Sequence, residues 1–200
     1  MGRMSNAWRI GKASWAVLDE ATLAAARAHL ATLPGEALRT APLTEPFLAA
    51  LVVDDRLIAL AAEVLGGPVE AFGATYLVKP PGTGLPALWH QDGEPWQARL
   101  GGAAAVTLWV ALDPSTPENG CLQVVPGSHR LPLHPLRPNV DVPSLFGVEL
   151  DPTLVDEGAA VDVVLAAGDV SVHHPNLVHG SGPNRSPEPR RALAVRYRAV

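Results

Sequence analysis

Between Val106 and Asp113 the chain alternates, and no charge appears until its last residue. Val106, Leu108, Val110 and Leu112 share one side of an extended backbone. Thr107, Trp109 and Ala111 share the other, because strand side chains change face at every residue. A strand with two different uncharged faces is covered on both sides. This fits a barrel strand with helices packed outside and a partly open interior.

The flanking sequence agrees. Residues 1–18 read as irregular, with a short strand around 15–18. Asp19 can cap a helix over 21–33 that Pro34-Gly35 stops. A second helical stretch starts near Thr44-Glu45-Pro46 and runs to Val53, and a third, capped by Asp54, covers 55–65 before Gly66-Gly67-Pro68. These helices are rich in Ala and Leu, which predicts one face packed on a sheet. From Val69 the period becomes that of strands: 69–79, 106–113, 121–125, 161–165, 170–174, a short piece at 177–179, and 190–198. Pro126, Pro132, Pro135, Pro138, Pro143 and Pro152 punctuate 126–160, which reads as a lid or binding loop.

Pro 20 and Gly 18 favour many short strands, so the class is mainly β with flanking helices. Two hundred residues, 48% apolar, suit one compact domain over 1–200: helical support at about 19–67, a β core at 69–200 and a lid at 126–160. A net charge of −5 argues against nucleic acid or an anionic membrane as partner. The single Cys121 cannot form an internal disulfide, which points to a reducing compartment. With no apolar leader and no run approaching the ~18 apolar residues of a membrane span, the chain reads as cytoplasmic.

The chemistry concentrates in Trp89-His90-Gln91-Asp92 and in His179. On an extended strand His90 and Asp92 share a side, and a second His from a later strand completes a two-His, one-carboxylate face on a metal. That set leaves three coordination positions open, as in non-haem Fe(II) oxygenases. Arg190 opens the last strand. A guanidinium inside a barrel needs an anion, and its fork suits a carboxylate. With Ser181 nearby, the set describes a seat for a dicarboxylic 2-oxo acid. Arg190 is favoured over Arg191 because it shares a face with Ala192 and Ala194, which leave room for a ligand. Arg191 sides with Leu193, Val195 and Tyr197 and belongs outside. His129 reads as a structural hydrogen bonder, and His173 or His174 as possible neighbours of the site. Glu118-Asn119-Gly120 reads as a turn, and Lys79, Arg130, His134 and Arg137 as candidates to meet an anionic substrate, each taken alone reading as a solvated side chain. Trp96 reads as pocket wall or core, and Gln91 as standing outside the ligand set.

These residues resemble the phytanoyl-CoA dioxygenase family of Fe(II)/2-oxoglutarate oxygenases from about Asp54 to the C-terminus. The resemblance rests on Leu65-Gly66, Lys79-Pro80-Pro81, Trp89-His90-Gln91-Asp92, Trp109-Val110-Ala111-Leu112-Asp113 and Glu118-Asn119-Gly120-Cys121-Leu122. It continues through Pro126-Gly127-Ser128-His129, Gly168-Asp169, and His179-Gly180-Ser181-Gly182-Pro183-Asn184 followed by Arg190. It implies a double-stranded β-helix (a cupin-like jelly roll) whose N-terminal helices pack on one sheet. It implies Fe(II) on His90, Asp92 and His179, and 2-oxoglutarate on Arg190 and Ser181, with Trp109 and Thr75 lining its pocket. The implied reaction uses O2, releases succinate and CO2, and hydroxylates a C–H bond of a small molecule. Halogenases of this superfamily replace the carboxylate with a small residue, so Asp92 favours hydroxylation. The alternatives are a cupin-like metal enzyme that uses no 2-oxo acid, and a non-catalytic metal- or ligand-binding jelly roll. Either a monomer or a homodimer is compatible with the sequence.

Overall fold

Among the described residues, three helices precede the first long strand. Helix α1 (Glu20–Thr32) is capped by Asp19, whose carboxylate accepts from the backbone N–H of Thr22 at 2.8 Å. After the short strand β1 (Leu38–Arg39) comes α2 (Pro46–Leu51), with Glu45 accepting from Leu48 N. It stops two residues short of the predicted Val53, because Asp54 N turns back to Leu51 O and the Asp54 carboxylate caps α3 (Asp55–Leu65). The computed structural model describes residues 17–200. Half of the strand expected at 15–18 lies outside them. The described half, Val17 and Leu18, forms no strand; both N–H groups reach Gly168 O.

The strands are β2 (Val69–Lys79), β3 (Ala87–His90), β4 (Ala105–Ala111), β5 (Leu122–Val124), β6 (Arg137–Pro138), β7 (Val148–Glu149), β8 (Val161–Val163), β9 (Val170–His173), β10 (His179–Ser181) and β11 (Arg190–Ala199). They form two antiparallel sheets, β1-β2-β11-β4-β9 and β3-β10-β5-β8, beside the β6-β7 ribbon. The fold is a jelly roll, as expected. One helix had no sequence signal: α4 (Gly93–Leu100), which follows β3 directly.

The three N-terminal helices cover the outer face of the five-stranded sheet. Leu23, Leu30, Leu48, Leu57 and Ala61 pack there with Tyr76, Val106, Leu108, Val110, Leu193 and Val195. Each large aliphatic side chain buried this way contributes about 1.5–3 kcal/mol. The two buried tyrosines keep partners, Tyr197 Oη donating to Val52 O at 2.9 Å and Tyr76 Oη lying 2.9 Å from His29 Nδ1. The expected split of the 106–112 strand holds, since Trp109 and Ala111 belong to a separate inner cluster with Ala192, Ala194 and Leu165.

On that inner face the register aligns side chains in rows, because directly paired residues point to the same side. Arg190 lies opposite Lys79. Next comes Leu77–Ala192–Ala111, then Thr75–Ala194–Trp109–Ser171, then Gly73–Arg196–Thr107–His173. The 126–160 segment carries β6, β7 and single 3₁₀ turns. It is fastened by Leu150 against Val125 and Val178, and by bonds from Leu150 N to Trp89 O and Leu145 N to Pro86 O.

Candidate active site

His90 and His179 are direct partners across β3 and β10, so both rings project from the same face, their centroids 4.1 Å apart. Each Nδ1 sits against the carbonyl two residues back, Leu88 O at 2.7 Å and Leu177 O at 2.8 Å. That contact fixes the tautomer with the proton on Nδ1 and leaves the Nε2 lone pair pointing away from the strand. Burial lowers the pKa of both imidazoles, that of His90 to about 4, with each also depressed by a neighbouring His; both rings are neutral at neutral pH.

Asp92 is not on the strand. Strand β3 ends at His90, and Asp92 has helical backbone angles at the N-cap of α4. The sharing of one side therefore comes from a turn. Gln91, fully buried, secures that turn: its Nε2 donates to Asn176 O at 2.8 Å and its Oε1 accepts from His134 N at 3.0 Å. Asp92 Oδ1 is 3.8 Å from His90 Nε2, and Oδ2 is 4.0 Å from His179 Nε2. Burial alone raises the carboxyl pKa, but the facing His173, the neighbouring His179 and His90, and the Arg196 guanidinium together hold it below the usual carboxylate range. Donor atoms from His90, Asp92 and His179 all lie within 4.8 Å of one another. Two neutral imidazoles and one carboxylate suit a divalent non-haem metal.

His179 opens β10 rather than ending a strand at 177–179. Pairing with Leu122–Val124 carries the backbone through Gly180 to Ser181. Ser181 thus faces the same cavity as His90, Asp92 and His179, together with Trp109, Arg190 and Arg196. Arg190 is 2% exposed, its guanidinium carbon lies 5.3 Å from the Trp109 ring centroid, and its Nε and Nη1 have no partner among the described residues. Burial pulls its pKa down to about 10, so it stays charged at neutral pH. A buried cation with idle donors is costly unless an anion meets it. Arg191 points outward and forms a two-pronged pair with Asp113, at 2.7 Å for both Nε and Nη2.

Lys79 corrects the sequence reading. It is fully buried, not solvated, because it pairs with Arg190 on the inner face of β2. Its Nζ donates to Ser181 Oγ at 2.7 Å and to Gly182 O. Gly120 makes this possible: at φ +76 it lies so close that a Cβ there would meet Gly182 O at 2.3 Å and Lys79 Nζ at 3.0 Å. The signal available in the sequence was parity, since 73, 75, 77 and 79 fall on one face. Arg196 was missed for the same reason. It shares parity with Arg190 and lines the cavity, its Nη1 donating to Thr75 Oγ1 at 2.9 Å. Thr75 itself does not line the cavity.

His173 lines the cavity, with Nε2 3.8 Å from Asp92 Oδ2. His174 faces His129 instead, ring centroids 5.9 Å apart. Trp96 is buried, edge-on to Phe72 and beneath the Arg196 guanidinium. Asn119 closes the expected turn through Thr116 N and Pro114 O. Arg137 pairs with Glu149 across the ribbon.

The sequence model of phytanoyl-CoA dioxygenase (PhyH) matches residues 6–192, and the chain belongs to that family. It is 33% identical over 167 residues to the ectoine dioxygenase of Sphingopyxis alaskensis, covering 78% of this chain and 55% of that protein. It is 32% identical over 158 residues to a probable alpha-ketoglutarate-dependent hypophosphite dioxygenase of Stutzerimonas stutzeri, covering 75% and 52%. The chain therefore spans about half the length of the curated relatives it matches. Among solved structures it resembles EvdO2 from Micromonospora carbonacea var. aurantiaca complexed with 2-oxoglutarate. The TM-score is 0.71 at 26% identity, over 92% of this chain and 84% of that one. Among the described residues no helix is long and apolar enough to cross a membrane.

Proposed function

We propose that this chain is an Fe(II)- and 2-oxoglutarate-dependent dioxygenase, a single domain that hydroxylates a C–H bond of a small molecule in a reducing compartment. His90, Asp92 and His179 hold the iron. When bound, the iron and 2-oxoglutarate supply the oxidation of the substrate by O2, with succinate and CO2 released. The protein contributes position and dryness. The carbonyls of Leu88 and Leu177 hold the two imidazoles in the metal-binding tautomer. Arg190 and Ser181 take the distal carboxylate of the co-substrate. The Lys79 ammonium donates to Ser181 Oγ, so the Ser181 proton is free to point at that carboxylate. Trp109 supports the guanidinium, and Thr75 acts through Arg196. Leu145 and Phe146 of the 126–160 segment line the cavity, with Phe146 5.0 Å from the His90 ring, and act as the lid that keeps water out.

The observation that carries this reading is the buried, unpartnered Arg190 beside Ser181, within one cavity with the His–Asp–His set. A cupin-like enzyme without a 2-oxo acid has no use for that guanidinium. Such an enzyme would also recruit His173 as a further ligand, yet His173 Nδ1 lacks the carbonyl partner that orients His90 and His179. The relatives named for oxidation of ectoine and hypophosphite support a small substrate. Retention of Asp92 supports hydroxylation over halogenation.

The test is anaerobic addition of 2-oxoglutarate to the Fe(II) protein. A weak visible charge-transfer band is expected, absent from Asp92→Ala. Iron binding without any such band would overturn the assignment in favour of the cupin-like alternative.

A further inference from the structure

We infer that the cavity holds a second anion seat, built by Arg196, Thr107 and His173, which grips a carboxylate of the substrate. Calling the occupant the substrate rests on the oxygenase reading above; the seat itself rests on register. Arg196 on β11 is the direct partner of Thr107 on β4, and Thr107 is the direct partner of His173 on β9. The three side chains therefore stand side by side on the inner face of one sheet, and all three line the cavity that holds Asp92.

Each of them carries a buried polar atom with no partner among the described residues: Arg196 Nε, Thr107 Oγ1 and His173 Nδ1. Thr107 and His173 are 1% and 4% exposed, so bulk water does not satisfy them. Among the described residues, five of the seven such atoms belong to Arg190, Arg196, Thr107 and His173. Idle polar atoms gathered on one cavity mark a missing ligand rather than scattered packing faults. One 2-oxoglutarate does not account for both ends. Arg190 and Arg196 are six residues apart on one strand, about 20 Å between their Cα positions, and the co-substrate is already assigned to Arg190.

The Arg196 guanidinium is held ready. Its carbon lies 4.9 Å from the Trp96 ring centroid, Nη1 is tied to Thr75, and the Nε edge is left over. The strand beneath departs from regular pairing beside it. Gly73 lies opposite Arg196, the Arg196 Cδ passing 3.6 Å from where a Cβ would stand, and β2 bulges by one residue just beyond. Bulges beside sites commonly re-aim a side chain. One guanidinium edge and one hydroxyl match a singly charged carboxylate. A phosphate dianion would call for further cations, and the other buried ones, Arg190 and Lys79, stand at the opposite end of the strand pair.

The test is calorimetric titration of the Fe(II) protein, anaerobic and saturated with 2-oxoglutarate, using a panel of small amino and hydroxy carboxylic acids. Each is paired with its primary amide. At least one acid is expected to bind at least tenfold tighter than its amide. Arg196→Gln should abolish that preference, and Thr107→Val, which keeps the shape, should weaken the acid three- to tenfold; 2-oxoglutarate affinity should stay within twofold in both. If 2-oxoglutarate binds the wild type but no acid distinguishes it from Arg196→Gln and Thr107→Val, the substrate seat is wrong and the oxygenase reading stands. If 2-oxoglutarate fails to bind at all, the oxygenase reading falls first. Thr107→Val keeps the experiment decisive if Arg196→Gln does not fold.

Discussion

Two adjacent arginines on β11 have opposite lives. Arg191 makes a bidentate pair with Asp113 at the rim, where removal costs about 1–2 kcal/mol of stability and leaves the cavity untouched. Arg190 pairs with no anion among the described residues. Arg190→Ala is expected to weaken 2-oxoglutarate about a hundredfold, near 3 kcal/mol, with iron binding retained and thermal stability not reduced. Titration of both alanine variants decides between them; a hundredfold loss in Arg191→Ala would reverse the assignment. Lys79 adds a pH dependence. Burial, and then the charge of Arg190 opposite, lower its pKa to about 7, against 10.5 in the unfolded chain, while Cys121 acts weakly the other way. Between about pH 7 and 10.5 the unfolded state binds one more proton than the native state, so this group makes stability rise with pH through that window. A bound dianion favours the ammonium. Binding of 2-oxoglutarate at pH 8–9 should therefore take up a proton and weaken as pH rises above about 7. Calorimetry in buffers of different ionisation enthalpy reads the uptake, and Lys79→Met should abolish it.

At the scale of elements, the 126–160 segment depends on few anchors. Leu150 is 1% exposed and packs with Val125 and Val178, and its N–H holds Trp89 O. Leu150→Ala should cost about 2–4 kcal/mol and open 126–160 to protease before the rest of the chain is cut, as limited proteolysis would show. Equal protection in the variant would mean the segment is held by other contacts. What the sequence disclosed about the elements follows the same division. Alternation over 106–112 and the Asp19 and Asp54 caps were readable because parity and capping are local. The α4 helix was not, since Gly93, Glu94 and Pro95 give no apolar period, and its start depends on Gln91 binding loops 41 and 85 residues away. His179 was legible as a residue but not as a strand opener, because a glycine after it reads as a turn until Leu122–Val124 supplies partners. Lys79 and Arg196 were hidden by composition. A cation on an inner face contradicts the rule that charges seek water, and only the register between β2, β11 and β4 shows that these two face a cavity.

For the molecule as a whole, a metal on the proposed His90–Asp92–His179 set is a cross-link between distant parts of the chain. His90 and Asp92 come from the strand and turn before α4, and His179 comes from β10, 87 residues after Asp92 by position. Asp92 moreover sits at the end of the sheet pair where Arg196 and His173 crowd it. A divalent ion that binds only the folded state stabilises by about 4 kcal/mol at a thousandfold excess over its Kd. For a domain of this size each kcal/mol moves Tm by about 2–4 °C. Fe(II), or Co(II) as an air-stable substitute, should raise Tm by roughly 10 °C, chelation should reverse the rise, and Asp92→Ala should remove it. Because the ion ties β3 and the turn after it to β10 within one sheet, rather than the helices to a sheet, hydrogen exchange should slow most in Ala87–His90 and His179–Ser181 and least in Glu20–Thr32. Uniform slowing across the chain, or an unchanged Tm with metal bound, would mean that the three side chains hold the ion without bearing on the fold, and that the sheets are already locked by their cores.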